Sequence, residues 1–393
     1  MILLDYPYVS DFLLDTISKF ELPVIATKNA LELADGRKVA WISESEALEI
    51  LQKDPHHPVY TNSENSVQWI KEHLPNSSLY DTVHVFKNKF EFRRLVADAY
   101  PEIFFQAVAL EQLDQIEPEN LVFPLIMKPS VGFFSLGIQR IDRAADWKAA
   151  VVNLKSDIST FKSLYPTAVV DSSQILLESY IEGDEYAFDC YFNKDGNPVL
   201  LNILHHTFSS ADDVSDRLYS SCPSLITQMY KPIMDFLEML GRKISLRNVP
   251  LHIEIRKKGG KIYPIEVNPL RFGGFCTTAD LTWYAYGINS YVSFLQGIQP
   301  DWENILPPRT DKIFSLILLD NQANIDPQEF DHFDYKALLG DFEKPLHLRK
   351  VPFDKFGVFG FLFTETRMEN KKELDAILYS DLRKYIKLRN RPH

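Results

Sequence analysis

Glu254, Glu266 and Asn268 lie in the stretch LHIEIRKKGGKIYPIEVNPLRFGG, residues 251–274, where two apolar-rich runs flank a Lys-Gly-Gly turn. Side chains two apart share a face of a strand, so Glu254 sides with His252 and Arg256, and Glu266 with Asn268. Whether the two acids meet depends on the turn. A three-residue loop, Lys258-Gly259-Gly260, pairs Lys257 with Lys261 and sets Glu254 opposite Pro264. Glu266 then lies one diagonal step away on the same face, at roughly 7–8 Å. A two-residue Gly259-Gly260 loop puts the acids on opposite faces. The three-residue register is the expected one, because such loops want glycine at their left-handed position. Two carboxylates and an amide oxygen converging there can chelate Mg²⁺ (or Mn²⁺), a hard ion that takes oxygen ligands at about 2.0–2.1 Å. Either glutamate alone reads as a solvated strand acid. Together they need a cation, since two unneutralised anions on a half-buried face are disfavoured.

Three further elements fit a nucleotide. In LVFPLIMKPSVGFFSLGIQRI, Lys128 ends an apolar strand and a short loop with Ser130, Gly132, Ser135 and Gly137 follows. Glycines let backbone N–H groups approach phosphate oxygens, and a lysine supplies a point charge. No G-K-[ST] follows, so this is not a Walker P-loop. In QILLESYIEGDEYAFDCYF, Glu178 and Glu185 bracket a glycine-containing bend whose backbone could meet a purine edge and whose carboxylate could accept from ribose hydroxyls. In FKNKFEFRRLVADAY, Asn88 and Glu91 have capping-box spacing for a helix starting near Lys89. A cation in a first helical turn opposes the macrodipole, a cost that a nearby phosphate offsets.

These residues need elements to hold them. The first ~85 residues alternate strand-like runs (MILLDY, LPVIAT, KVAWIS) with helical ones (VSDFLLDTISKF after Ser10, ESEALEILQKD, SVQWIKEHL), the pattern of a parallel α/β domain. From ~86 to ~300 the chain is richer in strands. Prolines and polar residues at 297–311 suggest a linker. Beyond it come the strand candidates KIFSLILLD and FGVFGFLFTET and a charged helix, NKKELDAILYSDLRKYIKL. The expected domains are therefore 1–86, 87–300 and 301–393. The C-terminal strands would extend a substrate pocket or form a homodimer surface.

Length and composition agree with several domains in a soluble globular chain: 393 residues, 45% hydrophobic and 24% charged. A net charge of −12, from 54 acids against 42 bases, argues against nucleic-acid or anionic-membrane partners. Three cysteines without metal-ligand spacing suit a reducing compartment. With no signal-like start and no apolar run near ~20 residues, a cytoplasmic location is expected.

Taken in order, NK before a helix, IMKPSVGFFSLG, LLESYIEGDEY, LHIEI and IEVNPLRFGG resemble the ATP-grasp superfamily over residues 86–300. The preceding segment resembles the family's N-terminal (pre-ATP-grasp) domain. The resemblance implies a mixed α/β (α+β) fold: a parallel N-terminal domain, a two-lobed ATP-grasp domain with a lid at about 117–177, and a small C-terminal α+β region. It implies that Lys89 and Lys128 contact ATP phosphates under a mobile loop from Ser130 to Gly137. Glu178, Tyr180 and Ile181 would form the adenine hinge, and Glu185 would hold the ribose. Glu254, Glu266 and Asn268 would bind Mg²⁺, and Arg271 would face the transferred phosphoryl group or a substrate carboxylate. Two departures stand out: Phe133 and Phe134 replace further loop glycines, and Leu270 separates Pro269 from Arg271. The implied activity is ADP-forming ligation of a small carboxylic or amino acid to an amine through an acyl phosphate. Small-molecule phosphorylation, carboxylation and a non-catalytic ATP-binding module are the alternatives. His205 and His206, between hinge and hairpin, are candidates for a base or substrate contact. His252, on the Glu254 face, could orient a metal ligand.

Overall fold

The computed structural model describes residues 1–131, 137–162, 173–210, 213 and 215–389. Four short strands open the chain and form one parallel sheet in the spatial order Ala40–Ile42, Pro23–Ile25, Ile2–Leu3, Tyr60–Thr61. The helices between them start where an oxygen-bearing side chain can take an orphan N–H. Ser10 accepts from Leu13 N, Thr27 from Ala30 N, and Ser43 from Glu46 N. This is the expected parallel α/β unit.

A second four-stranded sheet is antiparallel, in the order Phe105–Ala109, Gln174–Ser179, Leu125–Pro129, Gln139–Ile141. The helix Trp147–Lys162 packs on it. Its core is its own: Leu113, Met127, Trp147, Leu154 and Leu177 are buried in a cluster separate from the rest of the chain. By contrast, the N-terminal sheet shares one continuous apolar cluster with the central sheet, from Ile2 and Val24 through Phe188 and Ile253.

The central sheet has nine strands. From the edge it runs Lys261–Pro269, Val249–Lys258, Asp184–Phe192, Leu204–Thr207, Leu218–Ser221, Lys312–Asp320, Val358–Arg367 and Pro345–Lys350, with Pro198–Leu200 also beside Asp184–Phe192. The two strand candidates after residue 311 thus pair with each other and continue this sheet, joined to it through Leu218–Ser221. The charged segment at the C-terminus is not one helix. It is a helix only over Lys372–Leu378; Leu382 takes a left-handed φ of 65°, and a strand Ile386–Leu388 follows. Among the described residues no helix is long and apolar enough to cross a membrane.

Candidate nucleotide and metal site

The hairpin has a two-residue turn: Lys258 faces Lys261 across Gly259 and Gly260, both at positive φ. The expected three-residue loop is therefore wrong. With this turn alone, Glu254 and Glu266 would point to opposite sides. A β-bulge rescues them. The register runs Lys257–Ile262, Arg256–Tyr263, Ile255–Pro264 and then shifts, so that Glu254 faces Glu266 directly and Ile265 is the extra residue. Pro264 explains the position, since it has no N–H for the ladder and proline inside a sheet is confined to edges and bulges. The strand Lys261–Pro269 is the sheet edge. The Pro264 carbonyl accepts instead from Arg93 Nη1, at 2.5 Å.

Three neighbouring strands then present polar rows on one face. One row is Asp189, His252 and Asn268, and the next is Ala187, Glu254 and Glu266. Glu185 faces Arg256 in the following row. Partial burial, together with Glu266, Glu185 and Asp216, pushes the Glu254 carboxyl well above the carboxylate range. Burial would raise Glu266 too, but Lys89 and Lys87 outweigh it and hold that carboxyl low. Lys89 Nζ lies 3.2 Å from Glu266 Oε1. The Asn268 side chain is buried, and its Oδ1 has no hydrogen-bond partner among the described residues. No cluster of three His, Cys, Asp or Glu suited to a metal occurs among those residues. The oxygen set here is two carboxylates and an amide, with the amide oxygen unclaimed. That donor set fits a hard divalent ion such as Mg²⁺ or Mn²⁺.

Beside this face stand the cations. Asn88 caps the helix Lys89–Val96, accepting from Phe90 N and Glu91 N as its spacing suggests, and so fixes Lys89 in the first turn. Lys89 N also donates to Ser130 O, tying the helix to the start of the glycine loop. Lys128 is buried at the end of its strand, 2.6 Å from Glu178 Oε1. Burial lowers the Lys128 pKa; Glu178 opposes that, and Arg93 and Lys89 add to it. Glu178 also accepts from Arg93 Nε at 2.5 Å. Its burial would raise its pKa, yet Arg93 and Lys128 bring it to about 2. Arg271 follows Leu270, which is held at φ 66° and whose carbonyl accepts from Thr61 N of the N-terminal sheet. That left-handed residue turns Arg271 onto Glu64, which also binds Lys87 at 2.5 Å. Burial would raise Glu64, but Lys87 and Arg271 hold it at about 2.

Four residues of this region carry buried polar atoms without partners among the described residues: Ser130 Oγ, Arg93 Nη2, Asn268 Oδ1 and Arg271 Nε. Each such orphan costs about 1–3 kcal/mol unless a ligand or water meets it.

The hinge side is more occupied than expected. The Tyr180 ring lies between the guanidinium groups of Arg140 and Arg256, 4.3 and 5.0 Å from its centre. Tyr180 N donates to Pro124 O, and the Ile181 carbonyl accepts from Arg256 Nη1. Glu185 is bound by His206 Nδ1 at 3.0 Å and by Arg256 Nε at 3.0 Å. His206 is further fixed between Phe208 and Tyr219 and bonded to Ser215 O. His205 lies on the opposite face of the sheet, where it has a 3.5 Å contact with Thr207 Oγ1 and a tilted contact with Tyr186 among the described residues. Gly137 is at φ 70°, where a side chain would be strained and would press on Leu154. Gly132 and Ser135 lie outside the described residues. Glu64, Lys87, Arg93 and Asp189 escaped the sequence reading. Only Pro264 offered a signal, and it concerned the bulge rather than these four.

Residues 121–279 match the model of the ATP-grasp domain. No curated protein matches the chain significantly by sequence. Among solved structures, the chain is similar to an L-amino acid ligase from Bacillus licheniformis, with 17% identity, a TM-score of 0.68, and 100% of this chain and 98% of that one covered. It is also similar to N5-carboxyaminoimidazole ribonucleotide synthetase from Thermotoga maritima (14% identity, TM-score 0.61, 98% of both chains). A third is the biotin carboxylase domain of Hydrogenobacter thermophilus 2-oxoglutarate carboxylase, in complex with MgADP, ADP and bicarbonate (12% identity, TM-score 0.64, 99% of this chain and 90% of that one). The chain shares the fold of these solved structures over its length, and residues 121–279 match the ATP-grasp domain.

Proposed function

We propose that the chain is an ATP- and Mg²⁺-dependent ligase that joins a small carboxylic or amino acid to an amine, releasing ADP and phosphate. The observation that carries this reading is the bulge-set pair Glu254–Glu266 beside the unclaimed Asn268 oxygen, flanked by Lys89 and Arg271. Glu254, Glu266 and Asn268 hold the metal, which when bound spreads the charge of the β- and γ-phosphates. Lys89 and Lys128 bind phosphate oxygens together with Ser130 and Gly137, and the nucleotide lies between the antiparallel four-stranded sheet and the central sheet. Glu178, Tyr180 and Ile181 form the hinge for the base. Glu185 takes the ribose by exchanging a contact with His206 or Arg256.

A carboxylate oxygen of the acid attacks the γ-phosphorus, the bond to the bridging oxygen breaks, and ADP leaves. Arg271, with its unpaired Nε, stabilises the charge that develops on the transferred group. The amine then attacks the acyl carbon, phosphate departs, and the amine's surplus proton passes to a base. His206, on the same face as the acids, is committed to Glu185 and Ser215, and His205 alternates to the opposite face beside Tyr186, so neither histidine is assigned that proton.

The test is incubation with Mg²⁺, ATP and pooled carboxylic and amino acids, measuring ADP and phosphate. Release that needs both a carboxylate and an amine supports the ligase; nucleotide binding with no turnover under any pool leaves only a binding module. Glu266→Gln should lower turnover at least ~10³-fold while leaving the fold intact, in the range of lost transition-state charge stabilisation. Full activity in that variant removes the metal assignment.

A further inference from the structure

Asp189 is completely buried and accepts three hydrogen bonds. They come from His252 Nδ1 at 2.8 Å, Asn202 Nδ2 at 2.7 Å and the backbone N–H of Gly273 at 3.2 Å. Asn202 returns the contact, accepting from Asp189 N, and its amide also reaches Thr282 Oγ1 on the helix Thr277–Tyr286. Because Nδ1 is the ring nitrogen bonded to Asp189, the other ring nitrogen of His252 is aimed away from Asp189. That nitrogen lies 3.8 Å from Glu254 Oε1. His252 is also the direct cross-strand neighbour of Asn268. One carboxylate therefore touches both the support of the acid row and the turn after Asn268, Pro269, Leu270 and Arg271.

A carboxylate bonded to a histidine that leans on a metal ligand is a known way to fix ligand geometry, and such partners often matter as much as the ligands. Pure fold stabilisation would require no ring edge facing Glu254. We infer that Asp189, acting through His252, is a positioning residue that sets Glu254 for the divalent ion and holds the Gly273 turn in register with it. This rests on the metal reading above and extends it to two residues that touch neither nucleotide nor ion.

The experiment measures Mn²⁺ uptake in the presence of ADP by electron paramagnetic resonance of free Mn²⁺, with thermal melting in parallel. Asp189→Asn keeps the shape but cannot accept from both Asn202 and His252. His252→Asn keeps a donor toward Asp189 and removes the edge facing Glu254. Both should weaken Mn²⁺ binding about 10- to 100-fold, while ADP binding without metal stays within about twofold. Wild-type Mn²⁺ affinity in folded His252→Asn overturns the inference, and it decides the matter even if Asp189→Asn does not fold. A wild-type protein that takes up no Mn²⁺ with ADP removes the metal reading itself. Wild-type uptake with unchanged variants sinks only the inference.

Discussion

Glu64 and Glu178 do the same electrostatic work in unlike surroundings. Each carboxylate binds two cations, Lys87 and Arg271 in one case, Arg93 and Lys128 in the other, and each is held at about 2 against its burial. Glu64 joins the N-terminal sheet to the end of the Glu254–Glu266 hairpin, across a junction already filled by the apolar cluster those parts share. Glu178 joins the four-stranded antiparallel sheet, the proposed lid, to the helix Lys89–Val96, and the apolar core of that sheet is separate. The N-terminal sheet is therefore joined by a shared apolar cluster and trimmed by charge, while the proposed lid meets the helix Lys89–Val96 through the Glu178 ion pairs, the Lys89 N–Ser130 O bond and the Phe90–Phe105 ring contact. If this sheet closes over a nucleotide as proposed, groups that phosphates can compete for suit its attachment better than buried leucines. Lys128 belongs to both the junction and the proposed phosphate site, which makes that competition direct.

The sharpest way to break the comparison is to neutralise each acid. Glu178→Gln strands Arg93 and Lys128 facing each other in a dry junction, and should cost about 3–5 kcal/mol. The loss should appear as amide exchange in the strands Phe105–Ala109, Leu125–Pro129 and Gln174–Ser179, with the central sheet protected. Glu64→Gln leaves cations that are roughly a tenth exposed. It should cost about 1–3 kcal/mol, spread over the whole body rather than confined to residues 1–61. If both variants open the same set of amides, the lid is no looser than the N-terminal sheet.

A second variant pair tests the apolar half. Leu154 in the lid and Ile2 in the N-terminal sheet are both fully buried. Truncation of either to alanine should cost about 2–5 kcal/mol. Leu154→Ala should split a low-temperature transition from the main one in calorimetry. Ile2→Ala should lower a single transition. A single shifted transition in both would merge the two cores.

Much of this contrast was readable in part. Period-two alternation around Gly259 and Gly260 located the acids of the site, and the alternation of strand and helix over the first ~85 residues gave the parallel sheet. A shared face for Glu254 and Glu266, one diagonal step apart, was expected for the wrong reason; they face each other directly. The turn is one residue shorter than supposed, and the extra residue at Ile265 restores the face. Pro264 was the available clue, because a proline in a ladder announces an irregularity. Glu64, Lys87, Arg93 and Asp189 come from segments far away in sequence, and nothing local distinguishes a glutamate that will meet an arginine 207 residues later from one facing water. The C-terminal helix failed for a similar reason. Its helical pattern runs on past residue 378, and it is tertiary pairing of Ile386–Leu388 with Phe330–Phe333 that ends it.

Acid should separate the junctions with the smallest effect of all. An acid whose folded pKa is depressed contributes stability that is complete above its ordinary value near 4.5 and is lost as pH falls toward the folded value of about 2. Between neutral pH and about 4, each junction should lose only about 1 kcal/mol, and the two losses should be nearly equal because the two shifts are. Their consequences should differ, since the lid has no shared apolar core to fall back on. Exchange in the lid strands should therefore quicken below about pH 4.5 while Ile2–Leu3 and Pro23–Ile25 stay protected, and Glu178→Gln should flatten that dependence in the lid alone. Equal acid sensitivity at both sheets would mean that the lid is fastened by something other than Arg93, Lys128 and the carboxylate between them.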